Sequence, residues 1–562
     1  MFDADAFRRG FACLLASFAP FATAQSSAWH TVVDNADSAP GSTTTFRSYN
    51  QPSINSNGVV VFRARSSSGS GGMQIDGVYV RDARAAGPIA KLAARDDTVP
   101  DPNNTLYTGL PTAFTEFPSI PRIDATSDLI ATRGAHPPVW TYLLGEAETR
   151  VGTAGIYAFA DGVPMTAESL LGAVTSPDKL TFLFPQFSVP GAPIGTRFDQ
   201  FPGSPAVTSG RYIVFKGNYT DRSDGLGRTG VYYRDVAGTD RVSDTQLIAN
   251  SNTTIPNQPP GGEVTFDSTA PPSAAAGYVY FTGLDNEDAP TLGGIYRARI
   301  PYPGAAPEVP VLEVMVGIGD QVPGEPAGEG FRSFGEALSL TDDGRRVAFW
   351  GWWGTDTFPR TLVCPTDGNP DLLAYCNELY PDGLVVDIPV HQGVFVHDAL
   401  TGLTEPVTTT GQDGVEDYLF WVFSGRAPGT GGSEDPPEEL ARWRSSAFVA
   451  IAGLGNRDRS VAFKARRNGT QGIYLRDAAT VQKALATVAE VGTTDGQSID
   501  PLAPAGSFVS NVGLEREGFR QGQLAVTLSM LYVDPVDPEV TSSWGGIYVT
   551  TPTDLIFRDG FD

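Results

Sequence analysis

Cysteine and histidine are scarce in this chain, and beyond its first two dozen residues no apolar run is long enough to cross a bilayer. Each shortage removes a class of function. Of the cysteines, Cys13 falls in the leader-like N-terminus, so Cys364 and Cys376 remain, close together in one polar loop. No neighbouring Cys or His completes a metal-ligand set around them, and a disulfide is expected. Histidine is limited to His30, His136, His391 and His397. His391 and His397 flank one predicted strand, about 20 Å apart at the usual rise, and do not share a metal there. Basic residues are also short, 39 against 64 acidic, and a net charge of −25 repels polyanions such as nucleic acids. A Gly-x-Ser-x-Gly elbow and a phosphate loop are both missing. Gly225-Leu226-Gly227-Arg228-Thr229-Gly230 spells a dinucleotide fingerprint, but Gly230 opens a strand, where the true motif needs a helix.

What is abundant is glycine (63) and proline (44), set between short runs of Val, Tyr, Phe and Thr. This is an all-β pattern. At 562 residues the chain is either several domains or one repetitive array. Residues 1–24 read as a signal peptide: Arg8 and Arg9, an apolar stretch from Phe11 to Phe21, then Ala22-Thr23-Ala24 as the cleavage site. The leader reads as a Sec signal, although Arg8-Arg9-Gly10-Phe11 also resembles a twin-arginine core. The mature chain is expected to be soluble, without a transmembrane segment, in the cell envelope or secreted.

The main signal is a phrase, Gly-[Ile/Val]-[Tyr/Phe], at Gly77, Gly155, Gly230, Gly294, Gly393, Gly472 and Gly546. The copies lie roughly 64 to 99 residues apart, room for four strands and variable loops. Each follows a short apolar strand such as Val59-Val60-Val61-Phe62, Tyr212-Ile213-Val214-Phe215 or Val461-Ala462-Phe463, suited to burial on both faces. A turn comes next, at Arg81-Asp82, Arg234-Asp235, His397-Asp398 and Arg476-Asp477, where the carboxylate can accept backbone N–H groups. After a further strand comes an Asp-x-Val-Pro-like phrase, at Asp97 and Asp320.

The two ends complement one another. Trp29-His30-Thr31-Val32-Val33, followed by Asp37-Ser38-Ala39-Pro40-Gly41, matches the part of the unit that comes after Gly-Ile-Tyr. The last unit stops just after Gly546-Ile547-Tyr548. The expectation is a seven-bladed β-propeller over residues 25–550, closed by an N-terminal strand that completes the last blade. An open solenoid needs no such complementarity.

Asn55-Ser56-Asn57-Gly58-Val59-Val60-Val61-Phe62 resembles the signature of secreted bacterial tandem-repeat proteins, Asn-x-x-Gly-x-x-Ala-Phe, with Val61 in place of Ala. Asn456 to Phe463 keeps the Asn, Ala462 and Phe463 but has Arg459 instead of Gly, and Asp342 to Phe349 is shifted by one residue. The resemblance spans nearly the whole mature chain. It implies an exported propeller-like protein with a variable C-terminal anchor, and it supplies no catalytic residues. The tail, residues 551–562, ends in Ile556-Phe557-Arg558-Asp559-Gly560-Phe561-Asp562, which resembles a sorting signature.

The loops joining the second and third strands should share one rim. Three are acidic, with Asp221 and Asp224, with Asp285, Glu287 and Asp288, and with Asp534, Asp537 and Glu539. The fifth unit places its longest loop there, with Cys364 and Cys376 in it and Trp350, Trp352 and Trp353 at its base. Oxygen clusters suit calcium and exposed Trp suits sugar rings, so this rim is the expected ligand face. The reading is a monomeric, non-enzymatic binding scaffold for a protein or glycan, with calcium as an ion it could hold. The alternative is an exported propeller hydrolase or lyase using carboxylates in a central pocket.

Overall fold

The structure is a computed structural model. It describes residues 29–552 except 68–74, 86, 105–111, 145–146, 176–180, 194–195, 222, 238–243, 257, 260, 302–307, 367–368, 426, 429–440, 454–458 and 478–484. The leader and the C-terminal signature lie outside the described residues. No described helix is long and apolar enough to cross a membrane.

Seven antiparallel blades form a ring, a seven-bladed β-propeller. Blade 1 runs outward through Phe46–Tyr49 with Ser53–Ile54, then Val59–Ser66, Asp76–Asp82 and Ala90–Ala94. The second and third strands of the next five blades are Ile130–Ala135 and Ala154–Ala160, Tyr212–Thr220 and Gly227–Asp235, Tyr278–Leu284 and Gly293–Arg299, Arg346–Leu362 and Leu384–Asp398, and Ser460–Arg467 and Thr470–Asp477. Blade 7 consists of Phe508–Gly513 with Phe519–Arg520, Gln523–Val533, Thr541–Thr550 and, as its outermost strand, Trp29–Asp34. Trp29 lies opposite Thr550 and Asp34 opposite Gly546, so the N-terminal strand closes the ring as expected.

All seven repeat glycines lie on third strands, and the space around them explains why the position admits no side chain. A Cβ on Gly77 would sit 2.7 Å from the Tyr79 hydroxyl and 3.0 Å from the Ala93 carbonyl. On Gly472 it would meet the Tyr474 ring at 2.8 Å and the Ala489 carbonyl at 2.9 Å. The ring two residues on folds back over the glycine, while a bulge in the pairing with the fourth strand pushes a carbonyl toward it.

That ring pairs directly across from the Phe of the second strand: Phe62 with Tyr79, Phe215 with Tyr232, Phe281 with Tyr296, Phe349 with Phe395 and Phe463 with Tyr474. A third ring, not singled out in the sequence, meets it edge-on. Phe46, Phe114, Phe198, Phe266 and Phe331 stand 4.8–5.1 Å from Tyr79, Tyr157, Tyr232, Tyr296 and Phe395. Such pairs add about 0.5–1.5 kcal/mol each beyond their area. Seven apolar clusters fill the seven junctions between neighbouring blades, including the junction of blades 7 and 1, where Ala525, Ile547 and Val549 pack with Val60, Phe62 and Tyr79.

The turn aspartates act as read from the sequence. Asp82, Asp235 and Asp398 each accept a backbone N–H two residues on, and Asp37, Asp97 and Asp320 each accept one three residues back. The Gly225–Gly230 phrase lies in and before a strand, so no helix follows it.

Candidate functional site

The rim loops do share one edge, since each joins a second strand to a third. Most of their aspartates are engaged by their own turns. Asp221 accepts the Ser223 N–H (2.9 Å) and hydroxyl (2.6 Å), which hold it below the usual carboxylate range. Asp224 pairs with Arg228 at 2.6 Å. Asp285 accepts the backbones of Thr291 and Leu292 and the Thr291 hydroxyl, and its carboxyl is likewise lowered despite opposing burial. Asp534 accepts from Val536 and Asp537, and Asp537 from Glu539. Asp288 and Glu539 are exposed. Among the described residues no group of three His, Cys, Asp or Glu is arranged to hold a metal.

The tryptophans are mostly interior. Trp350 and Trp353 are buried and Trp352 half-buried. Trp350 Nε1 donates to Gln392 Oε1 at 3.1 Å, and Gln392 in turn donates to Asp417, which Arg360 also holds. The Trp353 ring stacks on His391 with centroids 6.1 Å apart. His397 is buried and bonded to Thr404 at 3.0 Å. Cys364 and Cys376 form the expected disulfide. Cys376 lies not in a loop, as expected from the sequence, but on a helix, Pro370–Leu379, which Asn369 caps through its side chain. A hairpin from blade 6, Phe420–Ser424 with Arg442–Ser446, packs Phe423 and Trp443 against this disulfide segment and ties blade 6 to blade 5.

Two places gather charge in a way the sequence did not disclose. One is the propeller axis. The segment before and within the inner strand of blade 7, Glu515 to Gln521, reaches across the ring. The Glu517 carbonyl accepts Ile54 N of blade 1. Arg122 of blade 2 donates to Glu515 at 2.8 Å and lies 3.8 Å from Glu517. Arg516 donates to Pro271 O and Ser273 Oγ of blade 4 and to Glu336 O of blade 5. Arg520 bonds Leu340 O and pairs with Asp342, also of blade 5. Three arginines and three carboxylates, all with nearly buried side chains, therefore close the centre. Burial raises the Glu517 carboxyl, and burial followed by the Arg122 charge lowers Arg516 to about 10. Carboxylates at this place are engaged in ion pairs with the arginines.

The other is a cleft of about 290 Å³ between blades 3 and 4, lined by Asp199, Lys216, Tyr219, Arg228, Asp267 and Glu287 among others. Thr220 donates to Asp199 at 2.8 Å and Ser268 to Glu287 at 3.4 Å. The buried Tyr219 hydroxyl has no hydrogen-bond partner among the described residues, and burial raises its pKa, so it stays protonated. Of the rim residues read from the sequence, Glu287 lines this cleft and Asp224 holds its Arg228. Asp534, Asp537 and Glu539 sit on blade 7, across the ring.

No family model and no curated protein matches the chain. Solved structures that resemble it are propellers of peptidases. Prolyl oligopeptidase B from Galerina marginata is 10% identical over 90% of this chain and 51% of its own, with a TM-score of 0.37. The acylaminoacyl peptidase of Pyrococcus horikoshii is 9% identical over 91% and 54%, with a TM-score of 0.36. The β-propeller domain of the trilobed protease from Pyrococcus furiosus, described as having an open velcro topology, is 8% identical over 92% and 100%, with a TM-score of 0.31. This chain thus spans about half the length of the two peptidases, and the likeness is one of fold.

The expectation of a non-enzymatic rim scaffold is corrected. Asp221, Asp285, Asp534 and Asp537 are engaged within their own turns, and two of its three tryptophans are interior.

Proposed function

We propose that the chain is an exported hydrolase or lyase that works with carboxylates, at the cleft between blades 3 and 4 and not on the axis. The supporting observation is the cleft itself, with three carboxylates, two cations and a protonated phenol on one wall-to-wall surface of about 290 Å³. That volume suits a single sugar unit or a short peptide segment. Bond cleavage by carboxylates needs a base to activate water or abstract a proton, and charge or hydrogen-bond donors for the group that turns negative. Asp267 is exposed and receives no side-chain hydrogen bond among the described residues, which leaves it available as the base. Lys216 and Arg228 supply positive charge, and Tyr219 supplies an O–H donor. Export rests on the leader read over residues 1–24 and agrees with the disulfide.

The test is a panel of chromogenic glycosides, uronates and peptide amides assayed with the purified chain and with Asp267→Asn and Asp199→Asn. Turnover that falls about 100-fold or more in Asp267→Asn, with unchanged thermal unfolding, is expected. Equal rates in the parent and both variants, or no turnover of any substrate by the parent, overturn the assignment.

A further inference from the structure

The residue after the second-strand Phe points to the opposite face of its blade, because side chains alternate along a strand. In blade 1 this position is Arg63, which lies across from Val78 and makes a bidentate ion pair with Asp76, at 3.0 Å from Nε and 2.7 Å from Nη2. In blade 6 it is Lys464, across from Ile473. Here no carboxylate among the described residues lies within ion-pair distance. Two phenyl rings take its place, Phe420 with its centroid 4.2 Å from Nζ and Phe448 at 5.6 Å. Phe420 opens the hairpin that blade 6 sends to the disulfide segment, and the two rings stand 6.2 Å apart. Lys464 is 9% exposed.

A cation facing aromatic rings gains about 0.5–2 kcal/mol from them, which does not replace a counter-ion for a group taken out of water. Burial accordingly lowers the ammonium to about 8, and no charged neighbour among the described residues contributes. At neutral pH roughly a tenth of Lys464 is the free amine, against less than about a thousandth for an ordinary surface lysine. A desolvated lysine of this kind is the usual starting point for condensation with a carbonyl.

We propose that Lys464 is a covalent site for small aromatic aldehydes. The amine lone pair attacks the carbonyl carbon. The nitrogen gives up its two protons, the carbonyl oxygen departs with them as water, and a carbon–nitrogen double bond remains. Nothing is oxidised or reduced, and no co-reactant is needed. The phenyl faces of Phe420 and Phe448 favour an aromatic aldehyde over an aliphatic one. This site is separate from the cleft of blades 3 and 4, so Asp267→Asn leaves it intact.

The chain contains five lysines, Lys91, Lys179, Lys216, Lys464 and Lys483, which makes assignment direct. The experiment treats the folded protein at pH 7 with benzaldehyde and sodium cyanoborohydride, which converts the imine to a stable secondary amine, and follows each lysine by peptide mass mapping. Lys91, ion-paired to Asp97 at the surface, is the internal reference, and a denatured sample shows that every lysine peptide is detected once modified. Lys464 is expected to react at least 10-fold faster than Lys91, with a rate that rises through about pH 8, and the faster product is expected to vanish in Lys464→Arg. Reaction no faster than that of Lys91, or an unchanged product pattern in Lys464→Arg, overturns the proposal.

Discussion

The axis and the blade 3–4 cleft hold similar side chains and do opposite things with them. On the axis Arg122, Arg516 and Arg520 meet Glu515, Glu517 and Asp342 away from water, so each charge is needed by another. In the cleft Asp199, Asp267 and Glu287 share the surface with Lys216 and Arg228 but remain open to solvent. What separates a structural charge cluster from a chemically available one is thus the state of its partners, not the residue types present.

Removing one member of the axial set should have the largest effect. Glu515→Gln leaves the buried Arg122 with the more distant Glu517, 3.8 Å away, as its remaining carboxylate among the described residues, and a loss of about 3 kcal/mol in urea unfolding is expected. A loss below about 1 kcal/mol would mean that water reaches the axis. The next largest effect concerns the blade 5 extension. Its disulfide closes a short loop, and the pair Cys364→Ala with Cys376→Ala should lower stability by about 2–3 kcal/mol, read by thermal unfolding, with protease cuts confined to residues 363–383.

A smaller effect tests carboxyls buried at blade junctions. Burial, ahead of the Asp500 and Asp37 charges, raises Asp34 to about 6, and Tyr548 and Trp544 both donate to the facing Asp500. Burial, opposed by Arg234, raises Glu168 to about 7. A carboxyl whose folded pKa is raised contributes stability that is present below its unfolded value, near pH 4, and is lost as pH rises through the folded one. Stability should therefore decline between about pH 4 and pH 7, the part owed to Asp34, about 1–2 kcal/mol, being complete near pH 6. In Asp34→Asn that part of the decline should disappear. The smallest effect belongs to the rim: Asp285→Asn should cost about 1 kcal/mol or less through its turn and leave turnover at the cleft unchanged.

The ring was legible because its determinants are local and recur. At Gly77 and its six counterparts an aromatic ring, a backbone carbonyl or both fill the space a Cβ would take, so the phrase recurs in every blade even as the rest differs. The closing strand and the disulfide were legible for the same reason, being carried by short segments. The axis was not, because Arg122 meets Glu515 across 393 positions and Glu515-Arg516-Glu517 has no counterpart in other repeats. The cleft draws Asp199 and Lys216 from one unit and Asp267 and Glu287 from the next, so no single repeat displays it. The tryptophans misled because a rim position in the repeat frame says nothing of the insertion that folds over it. Gln392 and the packed extension put Trp350 indoors.

The clasp between Trp29–Asp34 and Thr541–Thr550 joins segments roughly five hundred residues apart, which makes the last pairing to form also the one of greatest loop length. Until it forms, the third strand of blade 7 presents an unpaired edge, the kind of surface that recruits strands from other chains. The ring's vulnerability is therefore one of timing. Its most hazardous species is the otherwise folded ring in which the six-residue strand Trp29–Asp34 has not yet docked, and a chain trimmed past Asp34 would be held in that state permanently.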